Sequence, residues 1–254
     1  QIHEFKGRQE LYLKQKPVEL DRLIEIAKVQ STESSNEIEG IRTTNTRLKQ
    51  LCTDKTTPRN RDEEEIMGYR DVLNTIHENY EYIPIRSNYI LQLHRDLYKY
   101  SEKNIGGNFK NTQNYISAID GDGNEFVLFT PLAPYEVPMA INKLCEGYNA
   151  AVSAQDIDAL ILIPIFIHDF LCIHPFNDGN GRMSRLLMTL LLYRSGYVVG
   201  KYISLESKIA KNKNLYYKAL EKCQHGWHDN KEDPSSFIKY LVPTILSGKY
   251  CCST

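Results

Sequence analysis

A chain of 254 residues, 41% hydrophobic and 25% charged, is long enough to bury a core, either as one larger domain or as a core with an accessory segment. A formal net charge of −1 gives no bulk attraction for nucleic acid, so no nucleic-acid partner is expected. The longest apolar run, Ala159 to Ile167, is too short to cross a bilayer and is closed by His168 and Asp169, so no membrane partner is expected either.

The first residue is Gln1 rather than Met, so the chain reads as a trimmed one. Val18 to Gln30 carries Leu20, Leu23, Ile24 and Ala27 at helical spacing. Ser31 to Asn36 follows, rich in the hydroxyl side chains that cap helices. A helix through Asn36 and Ile38 puts Ser35 and Glu39 one turn apart on one face, where Glu39 by itself reads as a solvated surface carboxylate. Thr53 to Asn60 is polar, contains Pro58 and reads as a linker, dividing an N-terminal helical segment (1–58) from the main domain (59–250).

Two amphipathic helices come next, Asp62 to Tyr80 and Ser87 to Tyr100, with His77 and His94 among their packing or surface positions. Helical patterning stops at Gly106-Gly107-Asn108-Phe109-Lys110. Tyr115–Ile119 and Glu125–Phe129 are β-prone runs flanking a Gly/Asp/Asn turn, which predicts a hairpin. Pro138 to Ala151 is predicted helical. Asp156 to Ile173 is apolar around its whole circumference, which implies a buried central helix with a kink at Pro164 and a structural His168.

The richest stretch is His174-Pro175-Phe176-Asn177-Asp178-Gly179-Asn180-Gly181-Arg182-Met183-Ser184-Arg185. Gly-Asn-Gly reads as a tight turn between two helices, the second starting near Arg182, whose backbone N–H groups attract an anion that the glycines let come close. Arg182 and Arg185, three apart, are neighbours on the helix surface and carry guanidinium forks suited to phosphate. Asp178 offers Mg²⁺ a hard oxygen ligand. His174 is the group able to take a proton near neutral pH. Phe176 is expected to plug the core beneath the loop.

Leu186 to Ser195 reads as a second buried helix closing at Gly196, Glu206 to Gln224 as a further helix, and Phe237 to Leu246 as a short last one. Trp227 and His228 sit in a polar loop with no assignment. Cys52, Cys145, Cys172, Cys223, Cys251 and Cys252 form no C-x-x-C pair, which points to the reduced thiols of a cytoplasmic protein without structural zinc, and the Cys251-Cys252 tail is expected to fray.

From His174 to Arg185 the sequence resembles the Fic family motif, H-P-F-x-D/E-G-N-G-R-x-x-R, at every defined position. The resemblance implies an all-α, mainly helical Fic fold with one β-hairpin, the flap (about 114–130), over the active site. It implies adenylyl transfer (AMPylation), in which AMP from ATP is placed on a hydroxyl side chain of a target protein. His174 would be the base, Gly179, Asn180, Gly181, Arg182 and Arg185 would hold ATP, Asp178 would hold Mg²⁺, and the target would pair with the flap. Tyr216-Tyr217 resembles a family pair, with Tyr217 lining the adenine pocket or else packing in the core. Ser35-Asn36-Glu37-Ile38-Glu39-Gly40 is similar to the inhibitory S/T-x-x-x-E-G/N sequence of one large class. That similarity implies an inhibitory helix (about 31–50) whose Glu39 pairs with Arg185. Gly107-Asn108-Phe109-Lys110 departs from the family's G-x-F/Y-R, because Lys keeps the charge and loses the bidentate fork. Relatives often self-associate, so a homodimer is one expected state. Three other readings stay open: a hydrolase removing AMP at the same site, transfer of another phosphate-containing group, and a nucleotide-dependent binding module with little turnover.

Overall fold

The computed structural model describes residues 17–247 apart from 54, 104 and 120, so the Cys251-Cys252 tail lies outside the described residues. Its first helix, α1 (Pro17–Ile38), is one continuous element rather than a helix to Gln30 followed by a second over 31–50. The hydroxyl-rich stretch stays helical with two of its side chains bonded in place, while Thr32 Oγ1 and Asn36 Oδ1 are buried without a hydrogen-bond partner. Asn36 Nδ2 donates to the Thr32 carbonyl at 2.7 Å, and Ser35 Oγ accepts from Arg185 Nε at 2.8 Å. What ends α1 is Gly40, at φ +81°. Gly40 N–H returns to Glu37 O and Ile41 N–H to Asn36 O, both at 3.0 Å, so Glu39 is the C-cap residue of a Schellman turn.

A short helix, α2 (Asn45–Cys52), follows, with Thr44 Oγ1 accepting from Arg47 N–H at its N-cap. Its Leu48 and Leu51 pack on Ile66 and Met67 of α3 (Arg61–Asn79). Next come α4 (Ser87–Leu97) and the antiparallel hairpin of β1 (Ile116–Ile119) and β2 (Glu125–Phe129), paired Ser117 to Val127 and Ile119 to Glu125. The helices α5 (Val137–Ala154), α6 (Ala159–Ile173) and α7 (Asn180–Arg194) follow. Asp158 caps α6 by accepting from Leu160 N–H, and the helix runs unbroken through Pro164.

The two central helices were expected from their all-round apolarity, and α6 and α7 do lie in the core. Ile163, Phe166, Ile167 and Phe170 of one join Met183, Leu186, Leu187 and Leu190 of the other in one large apolar cluster. The predicted helix over 206–224 is instead two, α8 (Leu205–Lys211) and α9 (Lys213–Gln224), broken at Asn212 (φ −124°). The break falls in Lys211-Asn212-Lys213-Asn214, where no apolar side chain holds the register. The chain closes with α10 (Ser235–Ser247). α1 packs chiefly on α3 and α8, and its Ile38 enters the main core.

Trp227 and His228 find their purpose at the root of the hairpin. Phe129 is buried, stacks on His228 at 5.3 Å and meets Trp227 edge-on at 6.1 Å. Trp227 Nε1 donates to Asp169 Oδ1 at 2.9 Å, tying this corner to α6. Toward the tip the hairpin is bare, with Ile119 74% exposed. No described helix is long and apolar enough to cross a membrane.

Candidate active site

The loop between α6 and α7 is built from both ends inward. His174 caps α6 in the left-handed region (φ 50°), its N–H bonded to the Phe170 carbonyl at 3.0 Å. Its ring Nδ1 lies 3.1 Å from the Leu171 carbonyl, which assigns the proton to Nδ1 and leaves Nε2 with a free lone pair. Burial pushes the imidazole down to about 4, helped by the nearby Lys110 charge and opposed by the Leu171 carbonyl and Glu39. The His174 imidazole is therefore neutral at physiological pH.

Phe176 is fully buried, as expected, and stacks face to face on His94 with centroids 3.6 Å apart. Asn180 clasps it: its Oδ1 accepts from Phe176 N–H at 2.9 Å and its Nδ2 donates to the Phe176 carbonyl at 2.8 Å. His94 is a strut. It accepts from Gly107 N–H on Nδ1 and donates from Nε2 to the Asp178 carbonyl, at 3.0 and 3.1 Å.

The segment before the hairpin straps the same loop. Lys110 N–H donates to the Pro175 carbonyl, Asn114 Nδ2 to the Phe176 carbonyl and Asn177 Nδ2 to Asn111 Oδ1. The Lys110 ammonium donates to Asn114 Oδ1 at 2.7 Å and to Ile173 O, a last-turn carbonyl of α6, at 3.3 Å. Lysine in place of arginine thus still ties the segment before the hairpin to the loop, while burial lowers its pKa to about 8.

α7 starts at Asn180, two residues before the expected Arg182, with Gly179 (φ +84°) at its N-cap. A side chain at Gly179 would meet the Tyr98 ring and hydroxyl at 3.0 Å. Asp178 Oδ1 accepts from Gly179 N–H at 2.7 Å. Burial alone would raise the Asp178 carboxyl, but Arg182, that N–H and Lys103 more than offset it and hold it below the usual range. Arg61 Nη2 and Lys103 Nζ stand 3.6 and 3.5 Å from its Oδ2.

Arg185 is buried and spoken for. Its Nε donates to Ser35 Oγ at 2.8 Å, and its Nη2 donates to the Ser35 carbonyl at 2.9 Å and to Glu39 Oε1 at 2.8 Å. Glu39 Oε1 also lies 2.2 Å from the point where a Cβ on Gly181 would sit, so the carboxylate rests on the first turn of α7. Gly40 acts through the turn that aims Glu39. Tyr216 is buried beside Arg185, whereas Tyr217 is partly exposed and its hydroxyl is raised by burial and then by Glu39. The structure thus gathers His174, Asp178, Gly179–Arg182, Arg185, Ser35 and Glu39 at one end of α7.

Residues 84–192 match the Fic/DOC family. That match takes in the whole loop from His174 to Arg185. The chain is 31% identical over 108 residues to a protein adenylyltransferase fic-1 of Caenorhabditis elegans, covering 42% of this chain and 19% of that protein. A protein adenylyltransferase Fic of Nematostella vectensis is 26% identical over 237 residues, covering 88% of this chain and 48% of that protein. The chain thus spans less than half the length of these curated relatives. Among solved structures, a Fic-domain-containing signalling protein of Bacteroides thetaiotaomicron superposes with a TM-score of 0.80 at 24% identity, covering 97% of this chain and 93% of that one. Residues 134–508 of C. elegans Fic-1 superpose with a TM-score of 0.75 at 21% identity, covering 98% and 69%. These likenesses establish the Fic fold.

Four groups that complete the site carry no motif signal: Glu65, Tyr98, His94 and Lys213. Each reaches the loop or the α1 terminus from another helix, and only the packing of α3, α4 and α9 brings them there.

Proposed function

We propose that this chain is a protein adenylyltransferase, moving AMP from ATP to a hydroxyl side chain of a target protein, with Glu39 holding the resting enzyme off. The observation that carries this reading is the neutral His174, with a free Nε2, beside a glycine-lined helix start backed by two arginines. In the step proposed, the target oxygen attacks the α-phosphorus as His174 Nε2 takes its proton. The α–β bridging bond breaks and pyrophosphate leaves. Main-chain N–H groups of Asn180 and Gly181 and the guanidinium of Arg182 stabilise the charge on the transferring phosphoryl group.

Among the described residues no cluster of three or more His, Cys, Asp or Glu could hold a metal by itself. One carboxylate, Asp178, suits an Mg²⁺ ion that arrives on the nucleotide and takes its other ligands from phosphates and water. Bound there, the ion would neutralise phosphate charge. Tyr217 is proposed at the adenine, and the bare hairpin as the docking edge for an extended target segment. The four described free cysteines, three of them buried, support a cytoplasmic setting.

Glu39 is also close enough to influence the charge on His174, which favours a second reading, hydrolysis of AMP from a modified target with Glu39 orienting a water. Glu39→Gly and Glu39→Gly/His174→Ala are compared on α- and γ-labelled ATP. Transfer predicts α-label on protein with Glu39→Gly, lost with His174→Ala; retained transfer refutes the role of His174. Release of label from a modified target that disappears in Glu39→Gly supports the hydrolase, and no turnover of either kind supports a binding module.

A further inference from the structure

Arg182 is only 1% exposed, yet its guanidinium is held at a single nitrogen. Nη2 donates to the Tyr98 hydroxyl at 2.7 Å and lies 2.7 Å from Oε2 of Glu65, which is itself 1% exposed. The Glu65 contact lies off the hydrogen-bond line, so it is an ion pair by proximity. Nε and Nη1 of Arg182 have no partner. Buried donors left open are costly, and a guanidinium with two of them is incomplete without an anion. Stability alone does not explain the pair, since apolar residues of like volume serve a core as well or better.

Glu65 reaches outward as well as inward. One turn earlier on α3, Arg61 Nε donates to Glu65 Oε1 at 2.6 Å, and Arg61 Nη2 stands 3.6 Å from Asp178. A single buried carboxylate therefore joins an arginine inside the site to an arginine at its mouth, on either side of Asp178.

We propose that Glu65 is a positioning residue for the polyphosphate: it fixes Nη2 of Arg182 so that Nε and Nη1 are kept open for a phosphate, and steadies Arg61 near Asp178. This rests on the reading of the loop as the nucleotide site. Holding the fork in place before the ligand arrives removes an ordering cost from binding.

The test uses the whole chain in the Glu39→Gly background, with affinities for ATP and for adenosine measured calorimetrically in magnesium buffer. Glu65→Gln is expected to lower the preference for ATP over adenosine about tenfold, or about 1.4 kcal/mol, with adenosine affinity held within about twofold. In an Arg182→Ala background the same change should alter the preference by less than about twofold, because the effect passes through Arg182. An unchanged preference, parallel losses for ATP and adenosine, or full additivity with Arg182→Ala overturns the proposal. If Glu65→Gln does not fold, Tyr98→Phe releases the other hold on Nη2; a drop of a few-fold in the same preference supports the proposal, and none overturns it. Absence of α-label transfer by the Glu39→Gly parent would refute adenylyl transfer and leave the affinity ratio as the reading on Glu65.

Discussion

Removing the carboxylate at position 39 is the sharpest perturbation this site allows. Arg185 keeps two of its three contacts in Glu39→Gly, because Ser35 Oγ and the Ser35 carbonyl remain. The arginine therefore stays in place, and only its outward Nη2 direction is vacated. A charge-assisted hydrogen bond is worth roughly 1.5–3 kcal/mol, and the lower end applies to a side chain 32% exposed. A carboxylate about 5 Å from a phosphate oxygen adds roughly 1–3 kcal/mol of repulsion across the effective dielectric range of such sites. Together these give about 2.5–4.5 kcal/mol against productive ATP binding, a factor of roughly 10² to 10³. The assay is incorporation of α-labelled ATP into protein, with γ-labelled ATP as the control for phosphorylation. Glu39→Gln should gain less than Glu39→Gly, since the neutral amide removes the repulsion and keeps an acceptor for Arg185. A Glu39→Gly rate within threefold of wild type at unchanged ATP affinity would refute the assignment of Glu39 as the inhibitor.

Lys213 Nζ donates to the Ile38 carbonyl at 2.5 Å, capping the last turn of α1 beside Glu39, so Lys213→Met should raise label transfer about two- to tenfold and speed amide exchange at Gly40 and Ile41. A methyl at Gly68 would stand 1.9 Å from the Leu97 carbonyl oxygen, backbone against side chain, so Gly68→Ala should cost about 1–3 kcal/mol in urea unfolding by forcing α3 and α4 apart. Burial pushes His77 down to about 3, so the unfolded chain binds the extra proton below pH 6.5. Its contribution is complete above that pH and drains as pH falls toward 3, amounting to about 2 kcal/mol lost by pH 5. Unfolding titrations at pH 7.5 and 5 read this directly, and His77→Gln should remove that share of the difference.

The motif from His174 to Arg185 was legible because its chemistry is local: base, turn, helix start and arginines lie within one loop and the first turns of one helix. The buried helices showed in their apolarity, and the hairpin in the Gly/Asp/Asn turn between two β-prone runs. Ser31 to Asn36 misled because hydroxyl side chains cap helices when left to themselves, whereas here Arg185 engages Ser35 and the Asn36 amide bonds the Thr32 carbonyl within one continuous helix. The break at Asn212 had no local punctuation, since Asn and Lys are tolerated within helices and only tertiary packing places the step. Glu65 was invisible for a different reason. Its neighbours Asp62, Glu63 and Glu64 look like the acidic first turn of any helix, and nothing in the spacing says which carboxylate turns inward.

The Asn180 amide that bonds both backbone groups of Phe176 has a bearing on how such a site is controlled. With the loop pinned there, strutted by His94 and strapped by Lys110 and Asn114, little of the reaction centre is free to rearrange. What can change cheaply is a rotamer: a glutamate at the end of a helix, partly in solvent, exchanging between Arg185 and water. Such rotations take picoseconds to nanoseconds, far faster than turnover. With Glu39 as the inhibitor proposed above, the resting rate measures an occupancy, the fraction of time the carboxylate is away, and whatever shifts that fraction by tenfold shifts output by the same factor. Control of this kind acts as a dimmer rather than a latch.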